Sequence, residues 1–337
     1  ITTYRCEGTY SDNRHPDSVI FSTSLSDDVV RRDFTMNGIA FDFKNGFCDL
    51  VGGLEDIRNK TIRCIGDAQT RFREDALRIL RALRFSAVLG FEIEENTKKA
   101  IHKCKELLKN ISAERIREEF TKLICGKNAY SVLAEFSDVI CVFIPEFNDC
   151  VGFEQKNRHH IYDVYTHILK AMAESTPEPA IRLALLFHDI GKPVVAHFDE
   201  GGEQHFYSHP KISAEMTDKI MTRLRFDNET RNKVVTLVKF HDSPIMLINS
   251  DNPDRKRLKR IMSQIGKEQI FDLIEIKRCD NSAQNPKYYR GDKFYKETLD
   301  LINEIITENE CFSVKDLKIN GNDLIAMGYA GKEIGEK

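Results

Sequence analysis

The sequence lacks any apolar run approaching the roughly 20 residues that a membrane-spanning helix needs. Nothing at its amino end resembles a signal peptide. Its 50 lysines and arginines nearly balance its 53 aspartates and glutamates, so net charge by itself favours no class of partner. We therefore expect a soluble protein with no membrane partner, whose binding surfaces must be found from local charge.

Paired cysteines are also missing. The nine cysteines are odd in number, and none belongs to a C-x-x-C pair, which argues against a disulfide framework and a zinc knuckle. Reduced thiols predict a cytoplasmic protein. The chain starts at Ile1 without an initiator Met and ends at Lys337 in a polar, helix-like stretch, as expected of a chain cut at both ends. Nothing in the sequence indicates an oligomeric state.

The length of 337 residues predicts two to four modules, since domains usually contain roughly 100–200 residues. Short apolar runs between turn-rich segments predict a partial β-sheet over residues 1–67. Helical periodicity dominates residues 68–140, a histidine-rich helical module follows at 141–250, and a helical tail at 251–337. The predicted helices of the second segment are 75–89, 95–108, 113–124 and 129–136. The fold class should be α+β and mostly α.

A stripe of charged residues marks the segment EDALRILRALR at residues 74–84. Residues three apart lie on nearly the same face of a helix, so one carboxylate and three guanidiniums point towards a common region: Asp75, Arg78, Arg81 and Arg84. Cytosine and adenine both carry an amine beside an unprotonated ring nitrogen. Asp75 would accept from the amine while Arg78 donates to the nitrogen, and the other arginines would neutralise a triphosphate. An exposed helix face without a ligand is the alternative.

A second element, SLSDDVVRRDFTMNGIAFD at residues 24–42, places an Arg-Arg-Asp run before an apolar strand. With EDALRILRALR, the intervening LVGGLEDIRNKTIRCIGDAQTRF and the later SAERIREEFTKLI, it resembles the class II tRNA nucleotidyltransferases, which build the 3′ CCA end. The resemblance covers nearly the whole chain. It implies a partial nucleotidyltransferase head containing the sheet, a helical neck, an HD-type helical body and a helical tail that binds tRNA.

The resemblance also implies a role for each matching residue. Asp75 and Arg78 match the pair that reads the base edge. Arg81 and Arg84 match the arginines that hold the nucleotide and its phosphates, while Arg32 matches an arginine that contacts the nucleotide from the sheet side. Two residues are implied to orient that turn: Asp33 and Asn37. The implied activity is addition of C and A, from CTP and ATP, to the 3′ end of tRNA without a nucleic-acid template.

The carboxylates that bind magnesium in this family have no match in the sequence. The family carries a D-x-D pair after a GGxxRD phosphate loop, and Mg²⁺ held there activates the tRNA 3′ hydroxyl and stabilises the leaving pyrophosphate. The 337 residues contain neither motif, and the acidic pairs at 27–28 and 55–56 stand in contexts typical of solvated charges. We expect the whole protein to add CCA, and these residues alone to bind nucleotide weakly without catalysing transfer.

The histidine-rich module predicts a metal site. Four residues follow the H…HD…D order of HD-domain phosphohydrolases: His167, His188, Asp189 and Asp242. In that family a helical bundle brings such side chains to one or two divalent metals, which lower the pKa of bound water for attack on a phosphoester. Structural histidines are the alternative. We assign three loop histidines as structural or supporting groups: His197, His205 and His209.

A basic run in the tail predicts contact with the tRNA backbone. Five residues of DRKRLKR form it: Arg255, Lys256, Arg257, Lys259 and Arg260. A solvated helix face is the alternative. Three other functions also stay open, namely a bacterial poly(A) polymerase of the same superfamily, a stand-alone HD phosphohydrolase, and a protein that only binds tRNA.

Overall fold

The computed structural model describes residues 3–8, 18–246, 252–308 and 321–328. Within these ranges the strands are short: β1 Arg5–Glu7, β2 Val19–Phe21, β3 Ile39–Asp42, β4 Gly46–Asp49, β5 Thr61–Ile62, β6 Glu92–Ile93, β7 His197–Phe198 and β8 Gln204–His205. The α-helices described are α1 Leu25–Val30, α2 Gly53–Arg58, α3 Ala68–Glu74, α4 Leu77–Leu89, α5 Glu95–Cys104, α6 Ala113–Ile124, α7 Ala129–Glu135, α8 Ser137–Ile140, α9 Val164–Ala173, α10 Pro179–Phe187, α11 Lys192–Val195, α12 His209–Arg223, α13 Asn228–Phe240, α14 Arg255–Ile265, α15 Gln269–Ser282, α16 Asp292–Thr307 and α17 Gly321–Ala326. The predicted class, α+β and mostly α, is confirmed.

The strands pair two by two in the described ranges. β1 pairs with β2, β3 with β4 and β7 with β8, all antiparallel, whereas β5 and β6 are parallel. The β3–β4 hairpin turns at Gly46, whose φ of 74° favours glycine. The partial sheet expected for the first 67 residues is therefore present here as separate pairs of strands rather than as one continuous sheet.

The helix predicted over residues 75–89 is interrupted at its start. Asp75 has an extended backbone, with φ −141° and ψ 103°, and it separates α3 from α4. Its Oδ1 accepts a hydrogen bond from Leu77 N at 3.1 Å. Short acidic side chains compete in this way for nearby backbone N–H groups, which is why they favour helix ends over helix interiors. The helix predicted to begin at Asp75 begins instead at Leu77, so its predicted start was wrong by two residues.

The helices α4 and α6 pack closely against each other. Leu80 and Leu83 of α4 and Phe120 and Leu123 of α6 are fully buried. The chain leaves α6 at Gly126, where an added Cβ would lie 2.6 Å from the carbonyl of Ala87. Only glycine permits so close an approach to α4. This packing positions the charged residues of both helices beside one another.

The chain divides into two compact units, one comprising residues 1–241 and Cys279–Tyr289, the other residues 242–278 and 290–337. The second part of α15 therefore belongs to the first unit, although it lies beyond the expected start of the tail at residue 251. In the first unit, α9, α10, α12 and α13 form the histidine-rich body. No helix of the described ranges is both long and apolar enough to cross a membrane.

Candidate functional site

The Arg-Arg-Asp run follows α1 and is anchored by a buried carboxylate. Asp28 is fully buried and accepts from Arg31 Nε at 3.0 Å and from Arg32 Nη2 at 2.9 Å. Burial alone would raise the pKa of Asp28, but the hydrogen bonds from Arg31 and Arg32 outweigh it and hold the pKa below its ordinary value. The expectation that the acidic pair at 27–28 is solvated was wrong for Asp28, because two arginines stabilise it inside the protein.

The turn after this run is held by its own side chains. Arg32 Nη1 donates to Asn37 O at 2.9 Å, and Asn37 Nδ2 donates to Asp33 Oδ1 at 2.9 Å. The same Asp33 oxygen accepts from Phe34 N at 2.8 Å. A cavity of about 410 Å³ adjoins the turn, and Arg32 is the charged residue of its described lining. Its volume falls within the usual range of small-molecule sites.

Two arginines of α4 contact this turn across nearly fifty residues of sequence. Arg78 Nη2 donates to Arg31 O at 3.0 Å, and Arg81 Nε donates to Asp33 Oδ2 at 2.8 Å. Arg78 is almost fully buried, whereas Arg81 is about one third exposed. The structure therefore brings together the two sequence elements that predicted the nucleotide site.

Glu74 pairs with one of the predicted nucleotide-binding arginines. It ends α3, so it does not lie at a helix start, and its Oε2 accepts from Arg78 Nη1 at 2.7 Å. Arg78 Nη1 also donates to Arg71 O at 3.1 Å. With the bond to Arg31 O, the Arg78 guanidinium joins α3, α4 and the Arg-Arg-Asp turn.

Asp75 and Arg84, the remaining two predicted nucleotide-binding residues, contact side chains of α6. Asp75 Oδ2 accepts from Arg115 Nη2 at 2.8 Å, and Arg84 Nε lies 2.9 Å from Glu119 Oε2. Arg115 and Glu119 were missed, although their spacing of four residues on a predicted helix places them on one face. All five predicted nucleotide-binding side chains thus have partners within the protein: Arg32, Asp75, Arg78, Arg81 and Arg84.

Four ionisable side chains of the body converge in the first unit. They are His167 of α9, His188 and Asp189 after α10, and Asp280 of α15. His167 Nε2 lies 3.2 Å from Asp189 Oδ2 and 3.0 Å from Asp280 Oδ1. His188 Nε2 lies 3.2 Å from Asp189 Oδ2 and 3.3 Å from His167 Nε2. His167, His188 and Asp189 are each no more than 1% exposed.

The structure corrects the fourth predicted ligand. Asp242 is exposed and lies outside the group, while Asp280 supplies the second carboxylate. Successive residues at a helix end point in directions about 100° apart, so His241 and Asp242 do not face the same site. His241 faces inward and is 2% exposed. Asp280 lies 91 positions after Asp189, and no local spacing marks it.

The two carboxylates of this group shift the pKa of His188, and the neighbouring cations shift the pKa values of the carboxylates in turn. Burial would lower the pKa of His188, but Asp189 and Asp280 outweigh it and raise that pKa to about 10. Burial would raise the pKa of each carboxyl, yet the neighbouring cations hold both pKa values well below the ordinary range. Asp189 Oδ2 lies 2.6 Å from Lys192 Nζ but accepts no hydrogen bond of normal geometry. A buried carboxylate oxygen without such a partner, among imidazoles, fits a divalent metal.

The basic run of the tail forms α14 in the second unit. Leu258 and Ile261 are buried on one face of this helix, and Lys256 and Arg260 are exposed on another. Arg255 Nη1 donates to Glu304 Oε1 of α16 at 2.7 Å. Within the predicted cluster, Lys256 and Arg260 therefore lie on the surface, whereas Arg255 forms an ion pair with α16.

Three family profiles match consecutive parts of the chain. A profile described as "Poly A polymerase head domain" matches residues 1–63. A second, described as "Probable RNA and SrmB-binding site of polymerase A", matches residues 90–147, and an "HD domain" profile matches residues 159–280. The HD profile ends at Asp280, the carboxylate that the structure places with His167, His188 and Asp189.

Several curated relatives carry the name CCA-adding enzyme. The one from Lactobacillus helveticus is 47% identical over 277 residues, which is 82% of this chain and 59% of that protein. The one from Leuconostoc mesenteroides is 31% identical over 97% of this chain and 68% of its own length. The chain thus spans less than two thirds of the first relative.

Solved structures give a similar result. The Bacillus stearothermophilus CCA-adding enzyme in complex with CTP matches 99% of this chain and 71% of its own, with a TM-score of 0.65 and 25% identity. The Thermotoga maritima CCA-adding enzyme complexed with tRNA matches 94% of this chain and 70% of its own, with a TM-score of 0.52. Its 19% identity shows a shared fold.

Proposed function

Because this chain belongs to the CCA-adding enzymes of the poly(A) polymerase superfamily, we propose that its protein adds C and A to the 3′ end of tRNA without a nucleic-acid template. ATP and CTP are the proposed nucleotides. The observation that carries this proposal is the contact of Arg78 and Arg81 with the Arg-Arg-Asp turn. That contact gathers arginines for a triphosphate beside a carboxylate that can accept from a base amine.

Base selection is assigned to the Asp75 carboxylate together with Arg78. Asp75 accepts from Arg115 at one oxygen and from Leu77 N at the other, so its orientation is fixed from both sides. A carboxylate oxygen has two lone pairs, which leaves capacity to accept from the amine of cytosine or adenine. Arg81, Arg84 and Arg32 remain the proposed phosphate and nucleotide contacts.

Magnesium for nucleotidyl transfer does not fit the described head residues. Of the acidic pair at 27–28, Asp28 is occupied by two arginines. Of the pair at 55–56, Asp56 accepts from Thr35 Oγ1 at 2.6 Å and pairs with Arg63. Neither pair offers two available carboxylates, so we derive no transfer step through them. We propose that the 337 residues bind nucleotide and do not transfer it.

Nucleotide binding tests the selection proposal. The purified chain should bind CTP and ATP more tightly than UTP and GTP in isothermal titration. Asp75→Asn should reduce this preference, because an amide donates where the carboxylate accepted. Arg73→Ala is the matched control, since Arg73 is an exposed arginine of α3. Equal affinities for all four nucleotides in the parent chain would contradict the proposal.

Nucleotide incorporation tests the proposed lack of transfer. The chain would be incubated with tRNA lacking its CCA end, labelled CTP and magnesium. We expect no labelled tRNA, and robust incorporation of C would contradict this expectation. In a version of the protein that includes the GGxxRD and D-x-D motifs, incorporation of C would separate CCA addition from the poly(A) polymerase alternative.

A second candidate function rests on the body. We propose that His167, His188, Asp189 and Asp280 hold a divalent metal, with Asp280 replacing the predicted Asp242. When bound, such a metal lowers the pKa of a water molecule for attack on a phosphoester. The chain's own residues orient the ligands: His188 Nδ1 donates to Leu185 O at 2.6 Å, which directs Nε2 to the group. The proposed activity is metal-dependent phosphoester hydrolysis.

Metal content tests this second function. Mass spectrometry after loading and desalting should find a transition metal in the parent chain and less in His188→Ala. His102→Ala is the matched control, because His102 pairs with Asp138 at 2.9 Å outside the body group. Equal metal in the parent and in His188→Ala would contradict the site. Cleavage of a model phosphodiester by the loaded chain would then test hydrolysis.

We also propose that the tail binds tRNA and that the protein is cytoplasmic. Exposed Lys256 and Arg260 on α14 support contact with tRNA phosphates, for which positive charge is the main requirement. The described cysteines are free thiols, which supports a reducing compartment such as the cytoplasm.

A further inference from the structure

Three aromatic rings lie together on one face of the β7–β8 hairpin: His197, His205 and Tyr207. The rings of His205 and Tyr207 are nearly parallel, with an angle of 6° and centroids 5.3 Å apart. The His197 ring lies 5.1 Å from that of Tyr207. We propose that this ring face stacks the nucleobase of a ligand whose phosphoester binds at the neighbouring body group. The proposal rests on the hydrolase function proposed for the body, and it names the class of ligand.

The alternation of side chains along a strand explains why the three rings share a face. His197 pairs with His205 across the hairpin, and Tyr207 follows His205 by two residues, so all three point to the same side. Gln204 and Phe206 alternate with them and are buried. The side chain of Tyr207 is 68% exposed, so a ligand can reach its ring.

Contacts with the rest of the body hold the ring face in place. Gln204 N donates to Lys156 O at 2.9 Å, and Gln204 Oε1 accepts from Lys156 N at 2.8 Å. His205 Nε2 donates to Asp199 Oδ2 at 2.8 Å, which fixes the plane of its ring. Rings that are ordered before binding lose little side-chain freedom when a ligand stacks on them.

Two connections place the ring face beside the body group. Lys192 Nζ lies 5.3 Å from the centroid of the Phe206 ring and 2.6 Å from Asp189 Oδ2. Tyr207 precedes His209 by two residues, a stretch of chain that spans no more than about 7 Å. His209 Nε2 in turn lies 3.2 Å from Asp189 Oδ1. One ligand can therefore contact both the ring face and the body group.

The backbone between these two places is strained. Ser208 has φ 67° and ψ 6°, in the left-handed region that favours glycine. Other residues stay in this region only where their surroundings hold them, and such residues are frequent at binding sites. This turn starts α12 at His209 and leaves Tyr207 outside the helix.

A ligand that contacts both places carries a phosphoester and a flat ring. A nucleotide has this composition, whereas a sugar phosphate has no ring system that stacks. Every base has a π face, so the three rings should favour nucleotides over other phosphoesters without reading the base. A free nucleotide and the end of an RNA share this chemistry.

Tryptophan fluorescence tests the inference directly, because the chain contains no tryptophan. The substitution Tyr207→Trp, in the whole chain loaded with Mn²⁺, places a single reporter in the ring face. We expect AMP to quench its emission to saturation and ribose 5-phosphate to leave the emission unchanged. Phe198→Trp is the matched control, since Phe198 is 56% exposed on the same hairpin but pairs with Gln204 rather than with His205.

Hydrolysis gives a second readout. Tyr207→Ala should raise the KM for the methyl ester of AMP by at least about fivefold and leave the KM for the methyl ester of ribose 5-phosphate unchanged. Tyr207→Phe should keep both parent values, because stacking needs the ring and not the hydroxyl. An equal change for both esters in Tyr207→Ala would overturn the role assigned to Tyr207.

The outcomes separate this inference from the function on which it rests. If the parent chain binds metal but neither AMP nor a short oligoadenylate quenches the Tyr207→Trp reporter, the stacking site alone is wrong. Quenching in a chain that binds no metal contradicts the hydrolase function and supports the stacking site. Equal quenching of Tyr207→Trp and Phe198→Trp reports collision with free ligand and overturns the inference. Quenching by the oligoadenylate and not by AMP supports it with an RNA end as the ligand.

Discussion

Arg81 and Asp33 join two elements that are 48 residues apart in sequence, with Nε of the arginine 2.8 Å from Oδ2 of the carboxylate. A second guanidinium nitrogen, Nη2, lies 2.6 Å from the same oxygen. Charge-assisted hydrogen bonds of this kind fix geometry as well as adding stability. The pair therefore sets how the Arg-Arg-Asp turn lies against α4.

A double-mutant cycle should detect this contact. We expect Arg81→Ala and Asp33→Ala to couple by about 1 kcal/mol in the free energy of urea unfolding, because the arginine is partly exposed and water screens the pair. A cycle on Lys99 and Glu95, an exposed pair within α5, should couple by less. Independent effects of Arg81→Ala and Asp33→Ala would show that the contact contributes nothing to stability.

Arg78→Ala should be the most destabilising change among the predicted nucleotide residues. It would remove the buried guanidinium that donates to Glu74 and to the carbonyls of Arg31 and Arg71, at a cost of about 2–3 kcal/mol. Thermal and urea unfolding measure the change. Arg73→Ala should alter stability by no more than about 0.5 kcal/mol. A result for Arg78→Ala within the range of this control would contradict the joining role of the guanidinium.

Asp28 should make the protein's stability depend on acid pH. Its pKa is held below the ordinary value in the folded chain, so its stabilisation is present above the unfolded pKa of about 3.9. The stabilisation is lost as the pH falls through the lower folded pKa. The difference in unfolding free energy between the parent and Asp28→Asn should therefore shrink below about pH 4. Asp300→Asn, at an exposed position of α16, is the control. A difference that grows with acid would reverse the assigned direction.

Two exposed cations of α14 should contribute to tRNA binding through charge alone. Lys256→Ala and Arg260→Ala should each weaken binding and reduce the slope of log affinity against log salt by about one. Lys293→Ala is the control, since Lys293 is an exposed lysine of α16 in the same unit. Filter binding over a range of salt concentrations measures the slope. A slope unchanged by both variants would place the tRNA contact elsewhere.

Local sequence patterns predicted where the helices of residues 68–140 lie, but not all of their ends. The helix over residues 113–124 has the predicted bounds, because its apolar residues recur at helical spacing and Ser112 stands at its start. The helix expected to reach residue 108 ends at Cys104 and continues as a 3₁₀ helix. The break at Asp75 was missed, since its extended backbone depends on contacts with Leu77 and Arg115 that periodicity does not report.

The sequence by itself determined which chemical groups the candidate sites contain. The arginine-rich stripe, the Arg-Arg-Asp turn and the His-Asp pair can all be recognised from residue type and spacing. Only the tertiary structure decided which side chains meet. Asp280 replaces Asp242 beside His188, and His209 and His241 join Asp189, because helices distant in the chain converge in one bundle. A period of 3.6 residues reports which face of a helix is apolar, but it contains no information on which distant helix that face will contact.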